Sequence, residues 1–193
     1  MNSNKTAVVL AGGRSRRFGR DKAWALYEGK TLIEIVIERL KSAHCDVILS
    51  GSDPRLKQLS FPVIEDEHPF EGPLQALKGI WEKTSNSRIL LVACDMPFLS
   101  PDVIQTLWTT DSHSDIVLLQ GEEGPSPLPG VYDRTTYPFV TSLIEKGRKD
   151  LKALWNRDLA VSVVTRQLLH RLDPLGKSLW NINTPQDLSF LVE

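Results

Sequence analysis

The sequence predicts an α/β fold in which a mainly parallel sheet carries helices on both faces. Apolar runs of strand length alternate along the chain with segments of helical periodicity. In addition, Arg88 is followed by Ile-Leu-Leu-Val-Ala-Cys, a run without alternation that is typical of a central parallel strand covered on both sides. Ligands of such folds bind at the carboxyl ends of strands, so polar residues that follow strands are candidate site residues.

Local signals predict the individual elements in chain order. Short apolar runs bounded by turn residues predict strands at residues 7–10, 46–50, 61–64, 88–94, 115–119, 131–133 (at a sheet edge) and 159–164. Helical spacing and capping residues predict helices at residues 32–41, from 73 onward, at 101–107, 137–146 and 148–155, and after Thr184. Residues 121–130 contain three glycines and three prolines, which predicts a loop long enough to cover a site.

Size and charge restrict the class of protein. With 193 residues and no linker-like segment, the chain is predicted to form one domain over residues 1–193. A formal net charge of -1 argues against a nucleic-acid-coating protein. Residues 1–6 lack signal-peptide order, no apolar stretch could span a membrane, and Cys45 and Cys94 suit buried, reduced thiols. These features predict a cytoplasmic protein that binds neither nucleic acid nor membrane.

The most informative segment begins where the first predicted strand ends. Gly12 and Gly13 let a ligand approach the main chain, and successive N–H groups in such a turn can cradle a phosphate. Positive charge follows at once, from Arg14, Arg16, Arg17, Arg20 and Lys22. Neither a P-loop nor the dinucleotide-binding glycine fingerprint is present. A glycine pair alone would indicate an ordinary turn, but the pair together with five cations indicates phosphate binding.

Other polar residues follow the later strands. Asp95 comes directly after the central run, where a carboxylate and a nucleotide phosphate could share Mg²⁺, although it could also cap the following turn. Asp66 lies in Glu-Asp-Glu, which could equally be a solvated acidic turn. Asn181 and Asn183 precede a helix, where asparagine often forms turns. The four histidines are scattered, so none is assigned a catalytic role.

Several motifs together resemble those of the molybdenum cofactor guanylyltransferases. They are Leu10-Ala-Gly-Gly-Arg-Ser-Arg-Arg-Phe-Gly-Arg-Asp-Lys22, Val63-Ile-Glu-Asp66, Gly72-Pro-Leu74, Ala93-Cys-Asp-Met-Pro-Phe-Leu99 and Asn181-Ile-Asn-Thr-Pro185. The resemblance implies a single-domain, Rossmann-like three-layer sandwich of the nucleotide-diphospho-sugar transferase type. It also implies GTP binding by Leu10, Ala11, Gly12, Gly13, Lys22, Ser50, Asp66 and Asp95, Mg²⁺ binding by Asp95, and a pterin side at Asn181 and Asn183.

The resemblance implies an enzyme that transfers GMP from MgGTP to molybdenum-molybdopterin and releases pyrophosphate. Arg17, Lys22 and Asp95 would be its catalytic residues. Other molybdenum cofactor biosynthesis proteins and apo-molybdoenzymes would be its partners. The alternatives are a related nucleotidyltransferase that uses CTP or a sugar phosphate, and a non-catalytic protein that binds nucleotide and hands over cofactor.

The sequence departs from the family pattern at a few positions. Phe18 replaces a usual methionine, Ser50 replaces an asparagine that contacts nucleotide in some members, and Ser126 replaces a glutamine or histidine before Pro-Leu. The sister cytidylyltransferases typically carry Leu-Ala-Ala-Gly, so Gly12 and Gly72 favour GTP over CTP by resemblance.

Overall fold

The computed structural model describes residues 5–12, 22–67, 71–155, 158–184 and 186–187. The strands among them are β1 (Thr6–Leu10), β2 (Leu26–Tyr27), β3 (Lys30–Thr31), β4 (Asp46–Gly51), β5 (Val63–Glu65), β6 (Arg88–Ala93), β7 (Ile116–Gly121), β8 (Gly124–Asp133) and β9 (Val161–Val164). The α-helices are α1 (Leu32–Ser42), α2 (Pro73–Lys83), α3 (Pro101–Thr109), α4 (Tyr137–Glu145) and α5 (Arg166–Leu172).

Seven strands form one sheet in the order β5-β4-β1-β6-β8-β7-β9. Four of the six pairings are parallel, and β8 alone runs antiparallel to its neighbours, which confirms the predicted mainly parallel sheet. Because β8 reverses direction between β6 and β7, those two strands point the same way. The carboxyl ends of β5, β4, β1, β6, β7 and β9 therefore lie at one edge of the sheet, which is where ligands of such folds bind.

Helices cover both faces of the sheet, as predicted. One core joins alternate residues of β1, β4 and β6 to the apolar faces of α1, α3 and α5, and the other joins the remaining residues to α2 and α4. The predicted capping box of α1 is present: Thr31 N–H donates to Glu34 Oε2 at 2.8 Å, and Glu34 N–H donates to Thr31 Oγ1 at 3.4 Å. Among the described residues, no helix has the length and apolar content needed to cross a bilayer.

The prediction of a covering loop at residues 121–130 is wrong. These residues form a tight turn followed by the first part of β8, which pairs with β7 through Gly121–Gly124 and Leu119–Ser126. The prolines do not break the strand, because the register shifts after Leu118 and leaves residues 127–129 out of the ladder. Pro125 lies beyond the last β6–β8 pair, so its missing N–H costs no ladder hydrogen bond on that side.

Four further differences concern the second half of the chain and the first hairpin. Residues 131–133 are not at an edge, because the end of β8 pairs with both β6 and β7. The predicted helix at 148–155 is only the 3₁₀ turn Leu151–Leu154, and α5 was not predicted. The two-residue turn of Glu28 and Gly29, both at positive φ, joins β2 and β3 in a hairpin that was also not predicted.

Candidate functional site

Four neighbouring strands bring the predicted nucleotide residues to one edge of the sheet. Backbone hydrogen bonds continue past the strand ends: Ala11 N–H donates to Ser50 O at 2.8 Å, and Cys94 N–H donates to Leu10 O at 3.1 Å. The chain segments that leave β4, β1 and β6 are therefore fixed relative to one another. The groups collected at this edge are Leu10, Ala11, Gly12, Ser50, Asp66 and Asp95.

Lys22 lies at the centre of the charged part of this edge. Its Nζ is 2.6 Å from Asp95 Oδ2 and donates to Asn183 Oδ1 at 3.0 Å. The side chains of Lys22 and Asp95 are only 13% and 18% exposed, so their ion pair is largely shielded from water. The structure thus joins two predicted catalytic residues and one predicted pterin-side residue in a single contact chain.

The segment that carries Lys22 is anchored independently of that ion pair. It forms the 3₁₀ turn Lys22–Trp24, and the indole Nε1 of Trp24 donates to Asp53 Oδ2 at 2.9 Å. The guanidinium of Arg55 lies 4.7 Å from the centre of the Trp24 ring and also pairs with Asp53. Because Trp24 is held on two sides, the backbone two residues away from Lys22 is firmly placed.

The segment from Asn181 to Asp187 reaches the same point from the end of the chain. Ile182 N–H donates to Asp95 O at 2.9 Å, and the Ile182 side chain is 2% exposed in a small apolar cluster. That cluster contains Ala25, Leu32, Tyr27 and Phe98. The C-terminal segment is therefore attached to the residues that follow both Lys22 and Asp95.

Thr184 and Asp187 form a reciprocal capping pair. Asp187 N–H donates to Thr184 Oγ1 at 3.3 Å, and Thr184 N–H donates to Asp187 Oδ2 at 2.9 Å. Asp187 Oδ2 also accepts from Asn183 N–H at 2.6 Å. These bonds, that from Asn183 N–H most strongly, hold the pKa of the Asp187 carboxyl below its ordinary value. Asp187 is therefore ionised at neutral pH.

Two of the three carboxylates in the acidic turn after β5 form ion pairs with lysines. Glu65 pairs with Lys57 at 2.6 Å, and Glu67 pairs with Lys83 at 2.7 Å. Lys83 Nζ also donates to the Glu65 carbonyl oxygen at 2.9 Å. The two glutamates thus meet lysines from neighbouring elements and hold the backbone on either side of Asp66. Both glutamate side chains are more than half exposed, so the turn is solvated, which is one of the two interpretations that the sequence left open.

Asp66 itself lies beside the glycine segment. The position that a Cβ atom would take on Gly12 is 4.0 Å from Asp66 Oδ2, so the carboxylate is near the start of the predicted phosphate cradle. Gly51, at the end of β4, would place a Cβ 3.2 Å from the Ala11 carbonyl. A glycine at that position therefore lets the backbones leaving β4 and β1 approach closely.

The second carboxylate oxygen of Asp95 fits a hard cation. Asp95 Oδ1 is buried and has no hydrogen-bond partner among the described residues, whereas Oδ2 contacts Lys22. The described part of the chain contains no group of three or more acidic, histidine or cysteine side chains that could hold a metal. One carboxylate that shares its ion with phosphate and water is the usual arrangement for Mg²⁺, so Asp95 suits that ion.

The remaining predicted site residues stay predictions. Gly13 and Arg17 lie outside the described residues. Ser50 is the last residue but one of β4, and it is only 4% exposed, so it offers little surface to a ligand. Asn181 is exposed, and its carbonyl oxygen accepts from Asn183 Nδ2 at 3.2 Å.

Gly72 fixes the start of α2, in the Gly-Pro-Leu motif. Its φ is +101°, and a Cβ there would lie 2.7 Å from the Lys149 carbonyl oxygen. The same carbonyl accepts from Leu74 N–H at 3.2 Å. Only glycine combines this backbone conformation with such a close approach.

A cleft of about 770 Å³ opens at the carboxyl ends of β7 and β9, beside α5. The basic residues in its lining are Lys152, Arg166 and His170, and the apolar part of the lining includes Leu179 and Trp180. This cleft was not predicted, because the local sequence pattern indicates a loop in place of the β7–β8 hairpin and gives no helix in place of α5. The signal for α5 was present in Thr165, whose Oγ1 accepts from Leu168 N–H at 3.3 Å.

The cleft and the Lys22 site are joined by one short segment. Trp180 lines the cleft, and Asn183, three residues later, contacts Lys22. Three residues span at most about 11 Å, so the two regions are close enough for one extended ligand to touch both. Asn181 lies between them in sequence. Asp173 also lines the cleft, and its carboxylate accepts from Ser178 N–H at 2.6 Å. This bond holds the turn between residues 173 and 178.

Comparison with known proteins identifies relatives of this architecture. A model of the MobA-like NTP transferase domain matches residues 7–162. The molybdenum cofactor guanylyltransferase of Desulfosudis oleivorans is 33% identical over 187 residues, which cover 95% of this chain and 92% of that protein. A probable molybdenum cofactor guanylyltransferase of Methanosarcina mazei is 30% identical over 203 residues, which cover 98% of this chain and 91% of that protein.

Solved structures are similar over nearly the whole chain. Molybdopterin-guanine dinucleotide biosynthesis protein A from Archaeoglobus fulgidus superimposes with a TM-score of 0.81 and 26% identity, covering 96% of this chain and 95% of that one. A 4-diphosphocytidyl-2C-methyl-D-erythritol synthase from Anaerococcus prevotii gives a TM-score of 0.71 at 13% identity, covering 97% and 94%. At that identity the second likeness shows the fold alone.

Proposed function

Because the chain belongs to the MobA-like NTP transferase family and is a nucleotidyltransferase, we propose that it transfers GMP from MgGTP to molybdenum-molybdopterin. The products would be the guanine dinucleotide form of the cofactor and pyrophosphate. The names of its relatives support GMP transfer in molybdenum cofactor biosynthesis. The observation that carries the assignment of residues is the contact chain from Asp95 through Lys22 to Asn183, beside the glycine segment.

GTP would bind along the edge formed by β5, β4, β1 and β6. Its triphosphate would lie at Gly12 and Gly13, where the main chain permits close approach, and Asp66 would lie on one side of it. Lys22 and Arg17 would neutralise charge on the α-phosphate and on the leaving pyrophosphate. These groups are supplied by adjacent strand ends, so they need little rearrangement to meet one ligand.

Bound Mg²⁺ would supply charge neutralisation at the phosphates. Asp95 would hold it through the oxygen that has no hydrogen-bond partner among the described residues. The ammonium group of Lys22 lies 2.6 Å from Asp95 Oδ2 and balances the charge of that carboxylate.

The acceptor would occupy the cleft beside α5. Its flat ring system suits the apolar wall at Trp180, its negative charge suits a cleft that contains Lys152 and Arg166, and its terminal phosphate would point toward the Lys22 site. Asn181 and Asn183 would contact the acceptor where the cleft meets the Lys22 site. The short segment between Trp180 and Asn183 would thus bring acceptor and nucleotide together.

The reaction would be a direct displacement at phosphorus. An oxygen of the acceptor's terminal phosphate forms a new bond to the α-phosphorus of GTP, and the bond from that phosphorus to the bridging oxygen breaks. The electron pair leaves with pyrophosphate. The attacking oxygen is already anionic, so the site needs no strong general base, and catalysis would come from positioning and charge neutralisation. We place this reaction in the cytoplasm, with other cofactor biosynthesis proteins and apo-molybdoenzymes as partners.

Calorimetry with the four nucleoside triphosphates, each with and without Mg²⁺, tests the nucleotide half of this proposal. We expect tight, magnesium-dependent binding of GTP and at least about tenfold weaker binding of CTP, ATP and UTP, which corresponds to about 1.4 kcal/mol. Preference for CTP would contradict the guanine assignment. Binding of none of the four would contradict the phosphate site at Gly12.

A further inference from the structure

We propose that Asp187 is a positioning residue for Lys22, acting through the backbone and carboxamide of Asn183. This inference rests on the proposed function to the extent that Lys22 is the group that meets the nucleotide phosphates. The Asp187 carboxylate fixes Asn183 and Thr184, and Asn183 contacts the lysine.

The first step is the hold of Asp187 on the main chain. Its Oδ2 accepts two backbone N–H groups, from Asn183 at 2.6 Å and from Thr184 at 2.9 Å, and its Oδ1 accepts from Thr184 Oγ1 at 2.9 Å. Three donors on one carboxylate leave the backbone at Asn183 little freedom to rotate. Hydrogen bonds to a charged acceptor are among the stronger ones in proteins.

The second step is the orientation of the Asn183 carboxamide. Its Nδ2 donates to the Asn181 carbonyl at 3.2 Å, which directs Oδ1 toward Lys22 Nζ at 3.0 Å. An ammonium group needs an acceptor, so this orientation of the amide is the one that stabilises the lysine. The carboxamide oxygen therefore contacts the ammonium group in the position in which that group also pairs with Asp95.

The third step is the attachment of the same segment to Asp95, which follows β6. Ile182 N–H donates to the Asp95 carbonyl, and the buried Ile182 side chain lies with Ala25, which closes the Lys22 turn through its own N–H. The segment 182–184 is therefore fixed at both of its ends. Loss of the Asp187 contacts would release one end only, and it is the end that carries Asn183.

A purely structural cap would behave differently, and the chain offers a matched example. Asp133 Oδ1 accepts from Thr135 N–H at 3.0 Å and caps a short 3₁₀ turn in the same manner. Asp133 pairs with Arg88 at the start of β6. It therefore lies at the edge of the sheet opposite to Lys22. Removing the Asp133 cap is a control for loss of stability without an effect on the site.

The test is a double-mutant cycle between Asp187→Ala and Lys22→Met, measured as the dissociation constant of the magnesium–nucleotide complex by calorimetry. In the wild-type background we expect Asp187→Ala to weaken binding about tenfold, which is the usual size of a lost charge-assisted hydrogen bond. In the Lys22→Met background we expect less than about a twofold further change, because the two residues act as one unit. Asp187→Asn, which keeps an acceptor for the backbone N–H groups, should retain most of the binding.

Turnover supplies a second readout. Lys22 faces charge that grows during the reaction, so Asp187→Ala should lower kcat in addition to weakening binding. Asp133→Ala should lower the melting temperature without changing either quantity for the folded enzyme. Equal effects of Asp187→Ala in both backgrounds, or a loss of stability with unchanged binding, would overturn the positioning role.

The cycle separates this inference from the proposed function. It is run with GTP and, where the wild-type protein prefers another of the four nucleotides, with that nucleotide. Coupling measured with a different nucleotide would support the role of Asp187 and contradict the guanylyltransferase assignment. Additive effects measured with GTP as the preferred nucleotide would contradict the role of Asp187 and leave the guanylyltransferase assignment in place. Binding of none of the four would overturn both.

Discussion

The two halves of the sheet differ in how their functional groups are placed. On the β5-β4-β1-β6 side every strand is parallel to its neighbour; β5, β4 and β6 each bring a polar residue to the same edge, and β1 brings Gly12 there. On the β8-β7-β9 side an antiparallel strand intervenes, and the cleft is made by a hairpin, a short helix and a turn. Residues at strand ends are held by the ladder itself, whereas the cleft depends on contacts between separate segments.

The difference matches a division of labour. The parallel side presents the charge pair of Lys22 and Asp95 at the end of the strand next to the one that leads to Gly12, and suits a compact, highly charged triphosphate. The cleft side presents more widely spaced cations together with an aromatic wall, and suits a larger acceptor. The segment from Trp180 to Asn183 touches both sides, so it is the place where the two substrates would meet.

The largest expected effect is on the parallel side. Asp95→Ala should lower kcat by at least about a hundredfold, because one preorganised charge in a phosphoryl-transfer site is worth that much. Nucleotide affinity should fall much less, since the glycine segment is unchanged. Initial rates and calorimetry measure the two quantities. Asp102→Ala, at an exposed carboxylate on α3, is the control, and a wild-type kcat for Asp95→Ala would contradict the assignment.

On the cleft side, Arg166→Ala should act on the acceptor alone. We expect the KM for the acceptor to rise about tenfold or more, as for the loss of a hydrogen bond to a charged group, with nucleotide affinity unchanged. Arg171→Ala is the matched control, because Arg171 is an exposed arginine of the same helix outside the cleft lining. An effect of Arg166→Ala on nucleotide affinity equal to that on the acceptor would remove the division between the two sides.

A pair of glycine substitutions tests whether residues 121–124 form a fixed hairpin. Gly124 has φ of +117° with nothing near its missing Cβ, so Gly124→Ala should cost about 1–3 kcal/mol from backbone strain alone. Gly79 lies in α2 with equally open space and a helical backbone, so Gly79→Ala should stabilise by about 0.4–1 kcal/mol. Urea unfolding measures both. Equal tolerance at the two positions would favour the flexible loop of the sequence prediction.

The smallest expected effect lies at the opposite edge of the sheet. Asp111 accepts from Ser114 Oγ, from His113 N–H and from Ser162 Oγ, and these bonds hold its pKa below the ordinary value. A lowered folded pKa gives stability that is present above the unfolded pKa of about 3.9 and is lost as the pH falls through the folded pKa. Asp111→Asn should therefore be less stable than the wild type at pH 7, with normal kcat.

Urea unfolding at several pH values checks this prediction. The difference in unfolding free energy between wild type and Asp111→Asn should shrink as the pH falls below about 3.9, because the wild-type advantage requires the ionised carboxylate. A difference that stays constant with pH would mean that the lost stability comes from altered hydrogen-bond geometry and not from the missing carboxylate charge.

The same two halves show how far a sequence can be interpreted without a structure. Most of the predicted strands and helices were confirmed, because contiguous apolar runs with turn residues at their ends allow few other arrangements. Asp95 was placed correctly because it directly follows such a run. Its contact with Lys22 could not be predicted, since 73 positions separate them in the chain.

Apart from the β2–β3 hairpin, the failures are on the cleft side and have a common cause. The prolines at 125, 127 and 129 indicate a loop by composition, but one lies beyond the β6 pairing and two lie where the β7 register shifts. Which side of a strand needs its N–H groups depends on neighbours far away in the chain. The cleft was missed for the same reason, because its lining comes from segments that no local pattern connects.

Transfer of label from GTP to the acceptor tests the proposed function most directly. GTP labelled at the α-phosphate is incubated with Mg²⁺, the enzyme and molybdenum-molybdopterin, and product and pyrophosphate are quantified together. We expect label in a guanine dinucleotide and one pyrophosphate for each product formed, with both lost in Asp95→Ala. Bound GTP without any transfer to the pterin, or transfer to a sugar phosphate in its place, would contradict the guanylyltransferase assignment.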